Sequence, residues 1–325
     1  MEEQVFQNRV DLGGLQQAVA NIKNEVNKII VGQDSMIELL IAAVLADGHV
    51  LIEGVPGVAK TLSAKLLAKT MSVNFSRIQF TPDLMPSDII GTSIFNLKTS
   101  EFEFKQGPLF SNIVLIDEIN RAPAKTQSAL FEAMEERQIT VDGKTYPLAA
   151  PFIVLATQNP IEQEGTYRLP EAQLDRFLFK IEVDYPTLEE ETKIIAEHHA
   201  RKNTIDLGTV NSVMNAAEVK EFRHKVSQVL VEQNLISYIA KIVNQTRNNT
   251  SLYLGASPRA SLAILTSAKA IAAMRGRDFV TPDDIKFVAT PVLKHRVMLT
   301  PEKEMEGVTT KEVIKQIIEK IEIPR

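Results

Sequence analysis

The chain has 325 residues, 44% hydrophobic and 24% charged, with a net charge of −5, so it is long enough for two domains. It contains no cysteine, which excludes disulfides and thiolate metal sites, and its acidic balance argues against a strong nucleic-acid binder, whose phosphate contacts need clustered Lys and Arg. No apolar run approaches the ~18–20 residues that span a bilayer, and the polar start MEEQVFQNRVDLGG is no signal peptide, so a cytoplasmic protein is expected.

The first half of the chain alternates between helices and strands. Helices are expected at about 15–30 and 34–46, a strand at 49–53, a helix at 60–71, strands at 74–80 and 112–117, a helix at 123–137, and strands at 151–157 and 177–183. Alternation of this kind predicts an α/β fold, a five-stranded parallel sheet lying between helices.

The loop after the first strand carries the clearest chemistry. Residues 51–61 read LIEGVPGVAKT, an apolar run that enters a glycine loop and ends in Lys60-Thr61. This is a Walker A phosphate loop with Ala59 where the strict spacing has Gly. Ala keeps the backbone N–H that an anion needs and is at home in the first turn of a helix, whereas Pro would remove the donor. Gly54, Val55, Pro56, Gly57, Val58 and Ala59 form the cradle. The helix that begins at Lys60, Thr61 and Leu62 points its N-terminal dipole at the anion. Lys60 then reaches the β/γ-phosphates and Thr61 places its hydroxyl on Mg²⁺.

Two short pieces interrupt the alternation. Residues 91–107, GTSIFNLKTSEFEFKQG, read as a small ribbon, and residues 138–149 carry Asp142-Gly143 between alternating flanks, a hairpin signal. Between them, IVLIDEINR (113–121) reads as a strand buried on both faces and ending in Asp117-Glu118. Carboxylates there lie at the carboxyl edge where open α/β sheets bind ligands. Asp117 is placed to hold Mg²⁺, and Glu118 to orient and deprotonate the attacking water. Together the two motifs imply a nucleotide triphosphatase.

ATQNP (156–160) follows the fourth strand, so Asn159 is expected at the same edge as Asp117, within reach of the attacking water or the γ-phosphate. Arg176 in LDRF and Arg259 in GASPRAS read, in isolation, as salt-bridge arginines. His198-His199 diverge by about 100° on a predicted helix and do not form a metal pair.

After Pro186 no strand is expected. Amphipathic helices are predicted at about 187–202, 216–231, 234–248, 257–275, 282–297 and 310–322. Thr281, Pro282 and Asp283-Asp284 mark one start clearly. The expected division is an α/β domain over 1–186 and an all-α lid over 187–325.

GVPGVAKT, IDEINRAPAKTQSALFEAMEERQITVDG, ATQNP, GTYRLPEAQLDRF and GASPRA resemble the MoxR family of AAA+ ATPases, of the helix-2-insert clade, over about residues 14–300. The resemblance implies an AAA+ P-loop domain and lid, with ATP and Mg²⁺ bound. It implies Lys60 and Thr61 as Walker A, Asp117 and Glu118 as Walker B, and Asn159 as sensor 1. Arg176 looks like the arginine finger, supplied to the neighbouring subunit, with Arg168 as a nearby rival, and Arg259 looks like sensor 2. Val31-Gly32 lie where the family packs the adenine. Residues 91–107 correspond to the helix-2 insert and 138–149 to the pre-sensor hairpin. The family's activity is chaperone-like maturation of other proteins, including metal-cofactor insertion, by a homo-oligomeric, hexameric ring, often with a partner carrying a von Willebrand factor A domain. A nucleic-acid motor of the same clade and a metal-chelatase motor subunit are the alternatives. Lys98 and Lys105 balance Glu101 and Glu103 in the first insert, and Asp142 balances Lys144 in the second, which disfavours strand tracking.

Overall fold

The computed structural model describes residues 10–55, 57–159, 167, 169–202, 204 and 206–324. The chain forms two compact units. One is Ile22–Val219; the other joins the described residues up to Asn21 to those from Lys220 onward. The first helix, α1 (Gly13–Asn27), begins where Asp11 Oδ1 accepts the Gly13 amide at 3.0 Å.

The Ile22–Val219 unit continues with α2 (Asp34–Leu45), β1 (His49–Gly54), α3 (Lys60–Thr70), β2 (Phe75–Gln79) and α4 (Pro86–Ile90). Next come β3 (Gly91–Asn96), β4 (Glu101–Gln106), β5 (Ile113–Asp117), α5 (Ala124–Glu136), β6 (Gln138–Val141) and β7 (Lys144–Pro147). It closes with β8 (Ile153–Gln158), α6 (Glu171–Leu174), β9 (Phe177–Val183) and α7 (Leu188–Ala200). Five strands form one sheet in the order β2-β5-β8-β1-β9, and every neighbouring pair is parallel. From β1 the chain crosses to the β2 edge, works back through β5 to β8, then passes β1 and adds β9 on its far side.

Burial explains the strand patterns. Ile113, Val114, Leu115 and Ile116 are all fully buried, because helices cover both faces of a parallel sheet. Each such side chain contributes about 1.5–3 kcal/mol by leaving water. The face toward α5 packs Val114, Ile116 and Ala156 with Leu130, Phe131 and Met134. α5 therefore sits rigidly behind the strand end that carries Asp117.

The two inserts are antiparallel pairs, β3–β4 and β6–β7. The second turns at Asp142 and Gly143, both at positive φ (51° and 75°), the geometry of a type I′ turn. The inserts touch each other. Ser93 Oγ donates to Asp142 Oδ2 at 2.6 Å, and the Phe104 ring stacks on Tyr146 with centroids 4.4 Å apart.

The second unit holds α8 (Ala216–Ser227, entering it at Lys220), α9 (Gln233–Arg247), α10 (Pro258–Met274), α11 (Pro282–Leu293), α12 (Pro301–Met305) and α13 (Thr310–Lys320). It departs from the sequence expectation, which places no strand after Pro186 and no helix at Pro301–Met305. A ribbon of β10 (Leu252–Leu254) and β11 (Met298–Leu299) pairs antiparallel within it. Strands of three and two residues carry no alternation that a sequence pattern can register. Inside this unit Asp284 is fully buried and accepts from Arg275, Arg277 and both the amide and hydroxyl of Thr281. The expected helix start at Thr281 is thus also the centre of a buried ionic network. α11 ends at Leu293, four residues before the expected 297, with Pro291 in its last turn.

Candidate active site

The carboxyl edge of the sheet gathers most of the predicted residues. β1 delivers the phosphate loop, β5 delivers Asp117 and Glu118, and β8, which lies between them, delivers Asn159. Gly54 is held tightly: a side chain there would meet the Val183 carbonyl of β9 at 2.7 Å. Gly57 turns the loop at φ 89°. Pro56 and Arg168 lie outside the described residues.

Ala59 corrects one expectation. It is not in the first turn of the helix but is its N-cap, in the left-handed region at φ 59° and ψ 19°. That conformation favours Gly, and Ala adopts it at a strain of about 1–2 kcal/mol. The loop thus keeps the backbone shape of a glycine position.

Lys60 opens α3 and donates from Nζ to the Gly54 carbonyl at 2.7 Å. Burial pushes its ammonium below the ordinary lysine range, and the carboxylates of Asp117, Glu118 and Glu53 pull back part of that shift. Thr61 and Leu62, half-buried, follow on the same first turn. Val58 is buried.

Asp117 is buried, with each oxygen engaged: Oδ1 accepts from Thr157 Oγ1 at 3.1 Å and Oδ2 from Arg77 Nε at 2.6 Å. Glu118 stands just beyond β5 in the left-handed region (φ 58°, ψ 55°), and its amide donates to Thr157 Oγ1 at 3.1 Å. Its Oε2 accepts from Gln79 Nε2 at 2.8 Å and pairs with Arg121 Nε at 3.0 Å. One hydroxyl therefore fixes both acidic residues. The two residues expected to hold a cation offer a hydroxyl, from Thr61, and a carboxylate, from Asp117. This set suits Mg²⁺, which takes one or two carboxylates and fills its remaining positions with water and phosphate. Among the described residues no cluster of three His, Asp or Glu offers an all-protein metal cage.

Thr157, Arg77, Gln79 and Arg121 escaped the sequence reading. Arg77 and Gln79 carried a signal: they alternate on one face of a strand, in register with Leu115 and Asp117. Thr157 stands two residues before Asn159 in the same ATQNP segment.

Two predicted residues are not drawn to this edge. Arg176 precedes β9, whose first residue pairs with His49 at the start of β1. It therefore lies at the opposite edge of the sheet from Gly54, about 16 Å away by strand rise. Its guanidinium donates to the Phe131 carbonyl at 2.7 Å and lies 3.9 Å from Glu135. Arg259 is exposed in the first turn of α10, in the other compact unit. Val31 and Gly32 join α1 to α2; Gly32 has φ 71°, and the Glu190 side chain of α7 lies where its Cβ would be.

A parallel sheet in this strand order, with a phosphate loop after β1 and paired carboxylates after β5, defines an AAA+ ATPase, an enzyme that binds and hydrolyses ATP. Residues 49–179 match the model of the ATPase family associated with various cellular activities (AAA), and residues 244–317 match the AAA lid domain. The chain is 44% identical to Chaperone MoxR1 of Mycobacterium tuberculosis, over 93% of this chain and 81% of that protein. It is 47% identical to the uncharacterized protein YeaC of Bacillus subtilis, over 92% of each. A crystal structure of a chain assigned as an ATPase, from Cytophaga hutchinsonii, superposes with a TM-score of 0.89 at 44% identity, covering 96% of this chain and 97% of that one. The chain belongs to the MoxR family of AAA+ ATPases. Among the described residues no helix is long and apolar enough to cross a membrane.

Proposed function

We propose that this ATPase is a Mg²⁺-dependent, ring-forming motor of the cytoplasm that remodels or matures other proteins. The M. tuberculosis relative is named a chaperone. The proposed ring is a homohexamer, and the proposed partner a protein carrying a von Willebrand factor A domain, with metal-cofactor insertion as one form of the work. Residues 1–186 would act as the nucleotide-binding domain and 187–325 as the lid. The observation that carries the hydrolytic part is the Thr157 hydroxyl, which locks Asp117 and Glu118 together at the edge served by the phosphate loop.

Phosphoryl transfer needs positioning and charge neutralisation more than covalent chemistry. On nucleotide binding Lys60 would exchange the Gly54 carbonyl for the β/γ-phosphates, while the loop N–H groups from Gly54 to Leu62, Pro56 excepted, hold the phosphate chain. Val31 and Gly32 would line the adenine. Thr61 and Asp117 would hold Mg²⁺, which supplies charge neutralisation on the phosphate oxygens. Glu118 accepts a proton from the attacking water, and Asn159 orients that water. Arg259 would sense the γ-phosphate from the lid. Arg176 would serve the site of the next subunit, a role favoured by its distance from the phosphate loop of its own chain.

The test is Glu118→Gln, which keeps the shape and the Gln79 contact but removes the base. The variant should bind ATP about as tightly as wild type and fail to hydrolyse it. Comparable turnover would remove Glu118 from this role. The same variant, held with ATP, is the state in which a client protein should co-purify.

A further inference from the structure

The ion pair between Arg77 and Asp117 does more than tie two strands together. Asp117 is 7% exposed and fixed at the end of β5, with Thr157 on one oxygen and Arg77 on the other. The Arg77 side chain is 54% exposed and projects from β2, the outermost strand on that side of the sheet. Asp117 is the only hydrogen-bond or ion-pair partner of its guanidinium among the described residues. One member of the pair is therefore immobile and nearly dry, while the other is anchored at a single point and open to water.

A buried carboxylate without a counter-charge is strongly disfavoured. Before nucleotide arrives, Arg77 supplies that charge in direct contact with Oδ2, and the Lys60 ammonium acts on Asp117 without touching it. A divalent cation brought in on ATP phosphates would supply it instead, and the two cations compete for the same oxygen. We propose that Arg77 is a placeholder cation for Asp117, which keeps the acidic site neutral in the nucleotide-free chain and yields it when Mg²⁺ arrives with nucleotide. This rests on Asp117 being a donor to Mg²⁺. The consequence is a bias in binding order: free divalent metal binds more weakly than it would without Arg77, and nucleotide-bound metal is favoured. Arg77 is a positioning residue here, since it acts through Asp117.

The experiment measures Mn²⁺, a paramagnetic stand-in for Mg²⁺, binding to the full-length, nucleotide-free chain by electron paramagnetic resonance. Arg77→Met removes the charge and keeps the length of the side chain. It should bind Mn²⁺ about five- to tenfold more tightly than wild type, as suits a half-exposed charge about 4 Å from the ion. Arg77→Lys, which restores the charge, should return to the wild-type affinity, and Asp117→Asn added to Arg77→Met should abolish the gain. Should Arg77→Met fail to fold, Arg77→Gln carries the same expectation. An Arg77→Met affinity equal to wild type, or a gain that survives Asp117→Asn, overturns the proposal. Mn²⁺ binding to Asp117→Asn in the presence of ATP separates the two levels. If it equals wild type, Asp117 is not a metal donor at all; if it is lost while Arg77→Met behaves as wild type, only the placeholder fails.

Discussion

The Thr157 hydroxyl donates to Asp117 at 3.1 Å across the seam between β8 and β5, and the amide of the next residue, Glu118, donates back to the same oxygen. This small knot holds the candidate base in a left-handed backbone conformation that a non-glycine residue adopts at a cost. Thr157→Val keeps shape and volume but leaves the Glu118 amide and an Asp117 oxygen without partners. Each loss is worth about 1–3 kcal/mol, so kcat should fall about 10–100-fold. Thr157→Ser should stay within a few-fold of wild type. Steady-state ATPase assays on both variants decide it; equal activity in the Val variant would mean that the knot is not needed to position the acids.

The knot also shows what a sequence can and cannot convey. Asp117 and Glu118 are adjacent in the chain, follow four buried apolar residues and stand out as a motif. Lys60 and Thr61 do likewise after the glycine loop. Thr157 and Arg77 each lie 40 residues from Asp117. They meet it only because the strand order is β2-β5-β8, and hydrophobic patterning carries no information on order. Ala59 is a subtler case. Its identity was legible as a departure from the loop pattern, but its left-handed conformation depends on how the loop closes over the helix end. The β10–β11 ribbon is too short for any period to appear.

In the second unit Asp284 is held by two arginines and by Thr281. Burial alone would raise its pKa, but the hydrogen bonds from Arg277 and Thr281 outweigh it and hold the carboxyl below the ordinary aspartate value. A depressed folded-state pKa adds stability above the unfolded value, about 3.9, and that stability is lost as pH falls through the folded value. Asp284→Ala should therefore destabilise the protein by about 2–3 kcal/mol at pH 7. This is below the 3–5 typical of a broken buried pair, since the Arg275 and Arg277 side chains are 37% and 27% exposed. The gap from wild type should narrow below about pH 4, and denaturant titrations across pH measure it. A gap that stays constant with pH would show that packing, not charge, is what the substitution removes.

Both inserts are balanced in charge, Lys98 and Lys105 against Glu101 and Glu103, and Lys144 against Asp142. Asp142 is further engaged by Ser93, and Glu103 by Asn96. A loop that tracks a nucleic-acid strand needs a basic groove. Single- or double-stranded DNA should accordingly leave the ATPase rate unchanged at about 150 mM salt, where weak electrostatic binding is screened. Several-fold stimulation would favour a nucleic-acid motor over a protein remodeller.

Arg176 offers the sharpest test of a shared site, because its own chain parks it on α5, against the Phe131 carbonyl and Glu135, at the sheet edge away from the phosphate loop. In a ring of head-to-tail contacts each site would take Lys60, Asp117 and Glu118 from one subunit and Arg176 from the next. Arg176→Ala subunits lack the finger and keep the phosphate loop and base; Glu118→Gln subunits are the reverse. Each pure variant should be nearly inactive, since an arginine finger is worth about 10³–10⁵ in kcat. A one-to-one mixture should recover about a quarter of wild-type turnover, the share of sites that random pairing at a heterologous interface makes whole. Cooperativity between sites would lower that figure, so recovery against none is the decisive comparison, with mixed assemblies verified by size. Mixed rings as inactive as either parent would show that Arg176 does not act in trans, and Arg168 and Arg259 would become the residues to substitute next.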